Sequence, residues 1–356
     1  NVINLTLRGI ILSSKNNLFK IEMLLLCILK KQDCYGYEIT KLIKEYSDNL
    51  LDIKSGTMYP ILCKLQEEGI VSSYEEIANK KLRVYYHLEP SGLEKLQNLI
   101  NEYREMIISL VRKDLRGRYK GSVLGFLWTF VNPLLQLIVY TIVFSIIMRA
   151  SYEQYYLFLF VALVPWMFFS SSVTDGAASI LKEKDMVKKI YFPREVLPIS
   201  TVTSAFVNMI LTFVVVFIVV IVSGRGINPL ALLCLPVVMV VEYVLCLGIA
   251  LIVSSLTVYL RDLQYILGIF VMALQYMTPV MYGVDMVENS GAGDWLILIF
   301  NLNPMTPIIK IYRQIIYYGE VPELGSLALA LIIGIVFIVV GEVLFKKLQR
   351  GFAEEF

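Results

Sequence analysis

One histidine, His87, and five cysteines, Cys27, Cys34, Cys63, Cys234 and Cys246, are all that this sequence offers for imidazole or thiol chemistry. A Ser/His/Asp triad or a zinc site needs such groups in clusters, so neither has material here. The cysteines form no C-x-x-C pair and each lies in an apolar or helix-patterned run, which reads as reduced, buried thiols. His87 falls in an alternating strand pattern and is read as structural. No G-x-x-x-x-G-K-[ST] segment occurs, so the chain carries no recognisable cradle for nucleotide phosphates and no ATP site of its own is expected. The residues placed to act are charged and aromatic ones in apolar surroundings. Glu242 stands inside an otherwise uncharged run, where pairing across a dimer, gating and a structural hydrogen bond are all open to it. Glu342, four residues before Lys346, has the spacing of a helix-end ion pair.

The elements that carry these residues follow from an uneven charge density. Residues 1 to 110 hold 28 charged side chains, and residues 111 to 356 hold only 34, about half that density. Over the whole chain 57% of residues are hydrophobic, and the net charge of +2 gives no case for general polyanion binding. A soluble part is therefore joined to a membrane part. A span needs ~20 predominantly apolar residues, and six stretches qualify. They are 121–148, 154–174, 196–224, 230–260 around Glu242, 263–284, and 324–345. A seventh run, WLILIFNLNPMTPII at 295–309, is short and holds Pro304 and Pro307, so it reads as re-entrant or interfacial.

Six spans place both termini on one side. The loops on that side carry 14 Lys and Arg against 4 opposite, which predicts a multi-pass protein of the cell membrane with both ends in the cytoplasm. Just before the first span, LVRKDLRGRYKGS mixes Arg112, Arg116 and Arg118 with Leu110, Leu115 and Tyr119, the pattern of an interfacial amphipathic helix over 109–122. The loop at 174–195, with Lys182, Lys184, Lys188, Lys189 and Arg194, is long enough for a cytoplasmic helix ended by Pro193. Its mixed charge suits a surface that docks on a partner, although a solvated linker has the same composition.

These segments are familiar. RKDLRGRYKGSVLGFLWTFVNPLLQLIVYTIVF, VPWMFFSSSVTDGAASI, VKKIYFPREVLPIS, YLRDLQYILGI, LNPMTPIIKIYRQIIYYG and FKKLQRGFAEEF, in that order, resemble the permease subunits of polysaccharide ABC exporters, the TagG/Wzm kind. The resemblance covers about residues 109 to 356. It implies a six-span type-2 exporter fold over 123–356, a homodimer, a separate ABC ATPase subunit that binds ATP and Mg, and a lipid-linked glycan substrate such as a teichoic acid or O-antigen. It also implies that the helix around Ala178 to Lys189 couples to the ATPase, with the 110–119 helix beside it. Sugars present apolar faces ringed by hydroxyls, so a glycan conduit suits Tyr140, Phe144, Trp166, Phe168, Phe169, Tyr265, Tyr276 and Tyr282, though Trp and Tyr also anchor spans at both interfaces.

In the soluble part, FKIEMLLLCILKK, YGYEITKLIKEYS and SGTMYPILCKLQEEG read as three helices. IVSSYEE and LRVYYHL read as a hairpin after them, and a further helix follows. This is the order of a winged helix-turn-helix, preceded by a 17-residue extension. LDIKSGTMYPILCKLQEEGIVSSYEE and RVYYHLEPSGLEKL resemble the PadR-like transcription regulators over about 18–108. The resemblance implies that Lys54, Ser55, Thr57, Tyr59 and Lys64 lie on or beside a recognition helix and that Lys80, Lys81 and Arg83 form the wing of a DNA-binding surface. The domain's net charge is zero, so only a local cluster would meet phosphates, and protein docking or dimerisation is an equal use of such a domain. Leu93, Leu96, Ile100, Tyr103, Ile107 and Leu110 step by three and four, as a helix-pair seam would, and also as a helix packed on its own domain would.

The expectation is a mainly α chain, a winged helix-turn-helix domain followed by a six-span export permease. A membrane-tethered regulator and a drug-exporting permease stay open, although a mere anchor has no need of the FPREVLP loop or the proline-interrupted run.

Overall fold

The computed structural model describes residues 18–46, 53, 55–78, 81–119, 121–147, 152–189, 193–226, 228–283, 286, 300, 303–349, 351–352 and 355. The soluble part folds as α1 (Leu18–Leu29), β1 (Cys34–Tyr35), α2 (Gly36–Tyr46), α3 (Ser55–Glu67), β2 (Val71–Ala78) and β3 (Lys81–Leu88). The wing strands pair antiparallel from Val71 opposite Leu88 to Ala78 opposite Lys81, and β1 adds to the far side of β3 in the order β1-β3-β2. The short strand β1 was not visible in the sequence pattern, because two residues are too few to alternate. Met58, Ile61, Leu62 and Leu65 of α3 are buried against Leu24, Leu25, Leu26 and Ile28 of α1, so the opposite face of α3 is left to solvent.

Next comes α4, an unbroken helix from Pro90 to Tyr119. At 1.5 Å per residue its 30 residues reach about 45 Å. The residues with seam spacing are divided between two cores of the same chain. Leu96 is buried in the winged-helix core beside Leu99, with Ile100 packed against it, whereas Leu110, with its neighbour Met106, packs on a cluster with Ile180, Val187, Leu197, Leu251, Phe345 and Phe352. Leu93 is exposed.

The membrane part comprises α5 (Trp128–Thr141, between a short 3-10 turn and a π turn), α6 (Tyr155–Lys182), α7 (Lys184–Lys189), α8 (Val196–Val222), α9 (Pro229–Leu233), α10 (Leu235–Tyr259), α11 (Leu263–Met277), α12 (Met305–Arg313) and α13 (Leu324–Leu348). Among the described residues, five helices are long and apolar enough to cross a membrane: Gly125–Ile146, Tyr155–Lys182, Val196–Val222, Pro229–Tyr259 and Leu324–Leu348. The fifth stretch expected from the sequence, 263–284, is different: its helix stops after 15 residues, at Met277, one residue before the Thr278-Pro279 pair. Proline cannot donate to the helix ladder and disfavours helical backbone in the residue before it. The second stretch runs eight residues beyond its expected end, to Lys182, as part of the loop expected at 174–195 continues the span. Of the 295–309 run, 295–299 and 301–302 lie outside the described residues, and the rest is Phe300, Asn303, Pro304 and the start of α12.

α6 is the centre of the bundle, with 78% of its apolar window buried. α10 and α13 approach closely because glycines face each other. A Cβ on Gly248 would lie 2.5 Å from the backbone nitrogen of Ile338, and one on Gly341 would lie 2.5 Å from the carbonyl oxygen of Gly248. Small residues of this kind let helix backbones meet in a membrane, where no hydrophobic force pulls them together.

Candidate functional site

The residues expected to couple to an ATPase gather at one end of the bundle. Arg112 and Arg116 on α4, Lys182 at the end of α6 and Lys184 on α7 are all exposed there. Lys113 of α4 forms an ion pair with Glu183, the residue between α6 and α7, at 2.5 Å. Asp114 accepts a hydrogen bond from Ser204 of α8, also at 2.5 Å. A cavity of about 350 Å³ lies between these helices, lined by Lys113, Asp114, Gly117, Lys182, Glu183 and Thr201. Arg194 faces the C-terminal segment instead, donating to the Gln349 carbonyl at 2.6 Å and lying over the Phe352 ring. The side chains of Arg118, Lys188 and Lys189 lie outside the described residues.

The aromatic residues expected along a conduit are not one surface. Trp166, Phe168 and Phe169 of α6 are buried. Tyr265 and Tyr276 stand exposed on α11, and Tyr282 donates to the Tyr276 carbonyl at 2.5 Å. Phe144 stacks on Tyr155. Tyr140 accepts a hydrogen bond at 3.3 Å from Gln275 of α11, so α5 and α11 meet through polar groups. On α5 the amides Asn132 and Gln136, one turn apart, bond to each other at 3.2 Å. Beside them a cavity of about 210 Å³ is bounded by Trp128, Asn132, Phe168, Ser171, Asn208 and Thr212. The sequence reading attended to rings and passed over these amides, although Asn132, Gln136 and Tyr140 at steps of four were there to be read.

Glu242 is fully buried inside the protomer. Its Oε2 accepts a hydrogen bond from Tyr312 of α12 at 2.7 Å, and among the described residues its Oε1 has no hydrogen-bond partner. The structural hydrogen bond is thus the contact the fold provides. Glu342 pairs with Lys346 at 3.0 Å, as the spacing predicts. Arg313, counted from sequence among the loop charges, is instead only 4% exposed. Its guanidinium donates to the carbonyls of Pro279 at 2.6 Å, Val280 at 2.6 Å and Tyr282 at 2.9 Å, and lies 3.6 Å from the Phe158 ring centre. Non-helical backbone at membrane depth must have its carbonyls satisfied, and Arg313 does this for the chain after α11.

On the winged-helix domain Ser55, Thr57, Tyr59 and Lys64 share the exposed face of α3, with Lys64 3.6 Å from Glu68. Arg83 lies over the Tyr35 ring at 4.2 Å, part of a tyrosine row in which Tyr35, Tyr85 and Tyr74 stand opposite one another across the three strands. Lys54 and Lys80 lie outside the described residues, as does the side chain of Lys81. His87 Nδ1 is 2.7 Å from Asp33, tying β3 to the turn before β1. Burial raises the Cys27 thiol to about 11 and the Cys34 thiol above its ordinary value, which leaves both inert. Cys63, on the outer face of α3, is exposed and Cys234 is half-buried, so the expectation of buried thiols fails at these two.

The geometry defines a membrane protein with polar groups between its spans and a charged rim at one end of the bundle, joined to a winged-helix domain. Residues 25–98 match the Transcriptional regulator PadR-like family, and residues 105–317 match the ABC-2 type transporter family. The chain is 32% identical over 260 residues to the O-antigen export system permease protein RfbA of Myxococcus xanthus, covering 73% of this chain and 98% of that one. It is also 32% identical over 250 residues to RfbA of Klebsiella pneumoniae, covering 70% and 94%. The N-terminal part is 28% identical over 105 residues to Transcriptional regulator YqjI of Escherichia coli, covering 30% of this chain and 47% of that one. The chain belongs to the ABC-2 type transporter family and carries a PadR-like domain ahead of its transporter domain.

Proposed function

We propose that this chain is the membrane subunit of an ABC exporter for a lipid-linked polysaccharide, an O-antigen or teichoic-acid type of glycan, working as a homodimer. The observation that carries the reading is the similarity to two O-antigen export permeases along nearly their whole length. The amides of Asn132, Gln136 and Gln275 beside Trp128 and Tyr140 support it, because sugar hydroxyls pair with amides while sugar faces stack on rings. ATP and Mg belong to a separate ATPase subunit, which docks at α7 and the exposed lysines and arginines around it. Closure of that subunit tilts α7 and the helices tied to it, and the path between α5 and α11 widens. In this reading the spans number six, with α11 and the chain after it making the crossing between α10 and α12. Both termini then face the cytoplasm.

The test is co-purification. The chain extracted in mild detergent brings an ATP-binding subunit with it, and deletion of the gene removes surface glycan. A chain that binds no ATPase, in cells whose surface glycan is unchanged by the deletion, overturns the proposal.

The winged-helix domain is in this reading a docking module, with DNA as the partner to test first. Ser55, Thr57 and Tyr59 on the free face of α3 support DNA contact, since short polar side chains of a recognition helix approach base edges. A mobility shift of the promoter region by the full chain, lost in the Lys80/Lys81/Arg83 alanine variant, bears that out. A shift unchanged by the variant removes the wing from the interface, and no shift leaves protein docking or dimerisation as the role.

A further inference from the structure

Between the two matched ranges, 25–98 and 105–317, α4 runs on without a break. Its first half belongs to one core and its second half to another, and only Asn101 to Glu105 lie between Ile100 and Met106. That interval is about 8 Å of helix, with no glycine or proline in it. It is not bare: the Tyr103 phenol is pushed above its ordinary value by burial and by the carboxylate of Glu195, just ahead of α8. Each end is anchored by charge as well as by packing. In the winged-helix domain Lys95 forms ion pairs with Glu22 of α1 and with Glu68, which follows the recognition helix α3. At the other end Lys113 pairs with Glu183 at the joint between α6 and α7, and Asp114 with Ser204 of α8.

From these contacts we infer that α4 is a rigid lever through which the nucleotide state of the transporter moves the winged-helix domain, making that domain a reporter of transport activity. The inference rests on the transporter reading above, because the force on α7 comes from an ATPase subunit. Movement of α7 acts on Glu183, hence on Lys113, and a helix held over its whole length passes the tilt on. From Leu110 at the centre of the membrane-side contact to Leu96 in the winged-helix core is 14 residues, about 21 Å. A tilt of about 10° at the first therefore displaces the second by about 4 Å. Linkage makes the coupling reciprocal, so whatever binds the winged-helix domain biases the transporter's nucleotide equilibrium by the same factor.

The experiment uses the full chain with its co-purified ATPase in nanodiscs. A spin label on the native exposed Cys63 is paired with one at Leu324→Cys, in a Cys234→Ser background, and labelled copies are diluted with unlabelled ones to keep each pair within one chain. Binding of ATP to a hydrolysis-blocked ATPase shifts the distance by roughly 3 Å or more relative to the nucleotide-free complex. Insertion of Gly-Ser-Gly-Gly after Glu102 abolishes the shift while ATP hydrolysis by the unblocked complex continues. Lys113→Glu cuts the shift at least twofold, and adding Glu183→Lys restores it, a rescue that general destabilisation does not give. A distance that stays fixed in a complex that hydrolyses ATP, or an insertion variant that shifts as the parent does, overturns the lever. Failure of any ATPase to co-purify is a different result: it removes the transporter reading, and the lever with it.

Discussion

Tyr312 and Glu242 hold α12 against α10 by one hydrogen bond in a fully buried setting. Tyr312→Phe leaves the Glu242 carboxyl with no hydrogen-bond partner among the described residues, a loss that costs about 1–3 kcal/mol. Its thermal midpoint in detergent is expected to fall clearly below that of Glu242→Gln, in which an amide oxygen still accepts from Tyr312. Equal midpoints for Tyr312→Phe and the parent mean that the bond contributes nothing. A second prediction concerns pH and the Lys95 ion pairs. The hydrogen bond from Lys95 holds Glu68 below its ordinary 4.5, so its contribution is present above that value and lost as pH falls through the lower folded value. Lys95 itself is raised above 10.5: burial works against the charge, but the bonds to Glu22 and Glu68 outweigh it. Its contribution is full below 10.5 and lost as pH rises through the higher folded value. Amide protection at the C-terminal end of α3, measured as exchange relative to the unfolded-chain rate at the same pH, should therefore fall on acidification below 4.5 in the parent. In Lys95→Met that protection is already low at neutral pH and changes less with acid.

Among the helices the tightest constraint lies between α10 and α13. Gly248→Leu or Gly341→Leu drives a side chain into the facing backbone, so the two spans separate and folded protein is lost, as size-exclusion of the detergent extract measures. Gly268→Leu on α11, with open space around it, is the control and leaves the yield unchanged. Most helices were legible in the sequence because an uncharged stretch of 20 residues has few other uses, and the winged-helix order followed from periodicity. The exceptions have identifiable causes. The Pro279 break shortens α11, and apolar periodicity reports hydrophobicity without seeing where a helix loses its hydrogen bonds. The α4 pattern of threes and fours holds one buried residue, Leu96, one exposed, Leu93, and four partly buried ones, and no spacing rule says whether one core or two will cover such a face. Arg313 was hidden for a similar reason: an arginine near a span end looks like a loop charge until its carbonyl partners are in place.

At the scale of the whole molecule, the membrane and winged-helix parts were separable from charge density alone, yet the grouping of the amides was not, since it joins three elements: Asn132 of α5 and Asn208 of α8 border one cavity, and Gln275 of α11 bonds Tyr140 of α5. The orientation of the whole can be read at one atom. Cys63 is exposed on α3, so under the proposed topology a membrane-impermeant maleimide should label it in inside-out vesicles and leave it unlabelled in intact cells. Labelling from outside reverses the proposed topology and, with it, the side on which an ATPase can act.

The two-core helix also bears on how the protein is made. The partners of Leu96 and Leu99 lie no further along the chain than Ile100, so the winged-helix core can close while the first span is still being synthesised. Met106 and Leu110 are in the opposite position: their cluster includes Phe345 and Phe352, which leave the ribosome more than 230 residues later. Ile180, Val187 and Leu197 reach it first, and until the rest of the cluster follows the apolar face of the second half of α4 is only partly covered by its own chain. Its basic residues, Arg112, Lys113 and Arg116, suit it to rest on the acidic inner leaflet in that interval, with lipid standing in for the helices still to come.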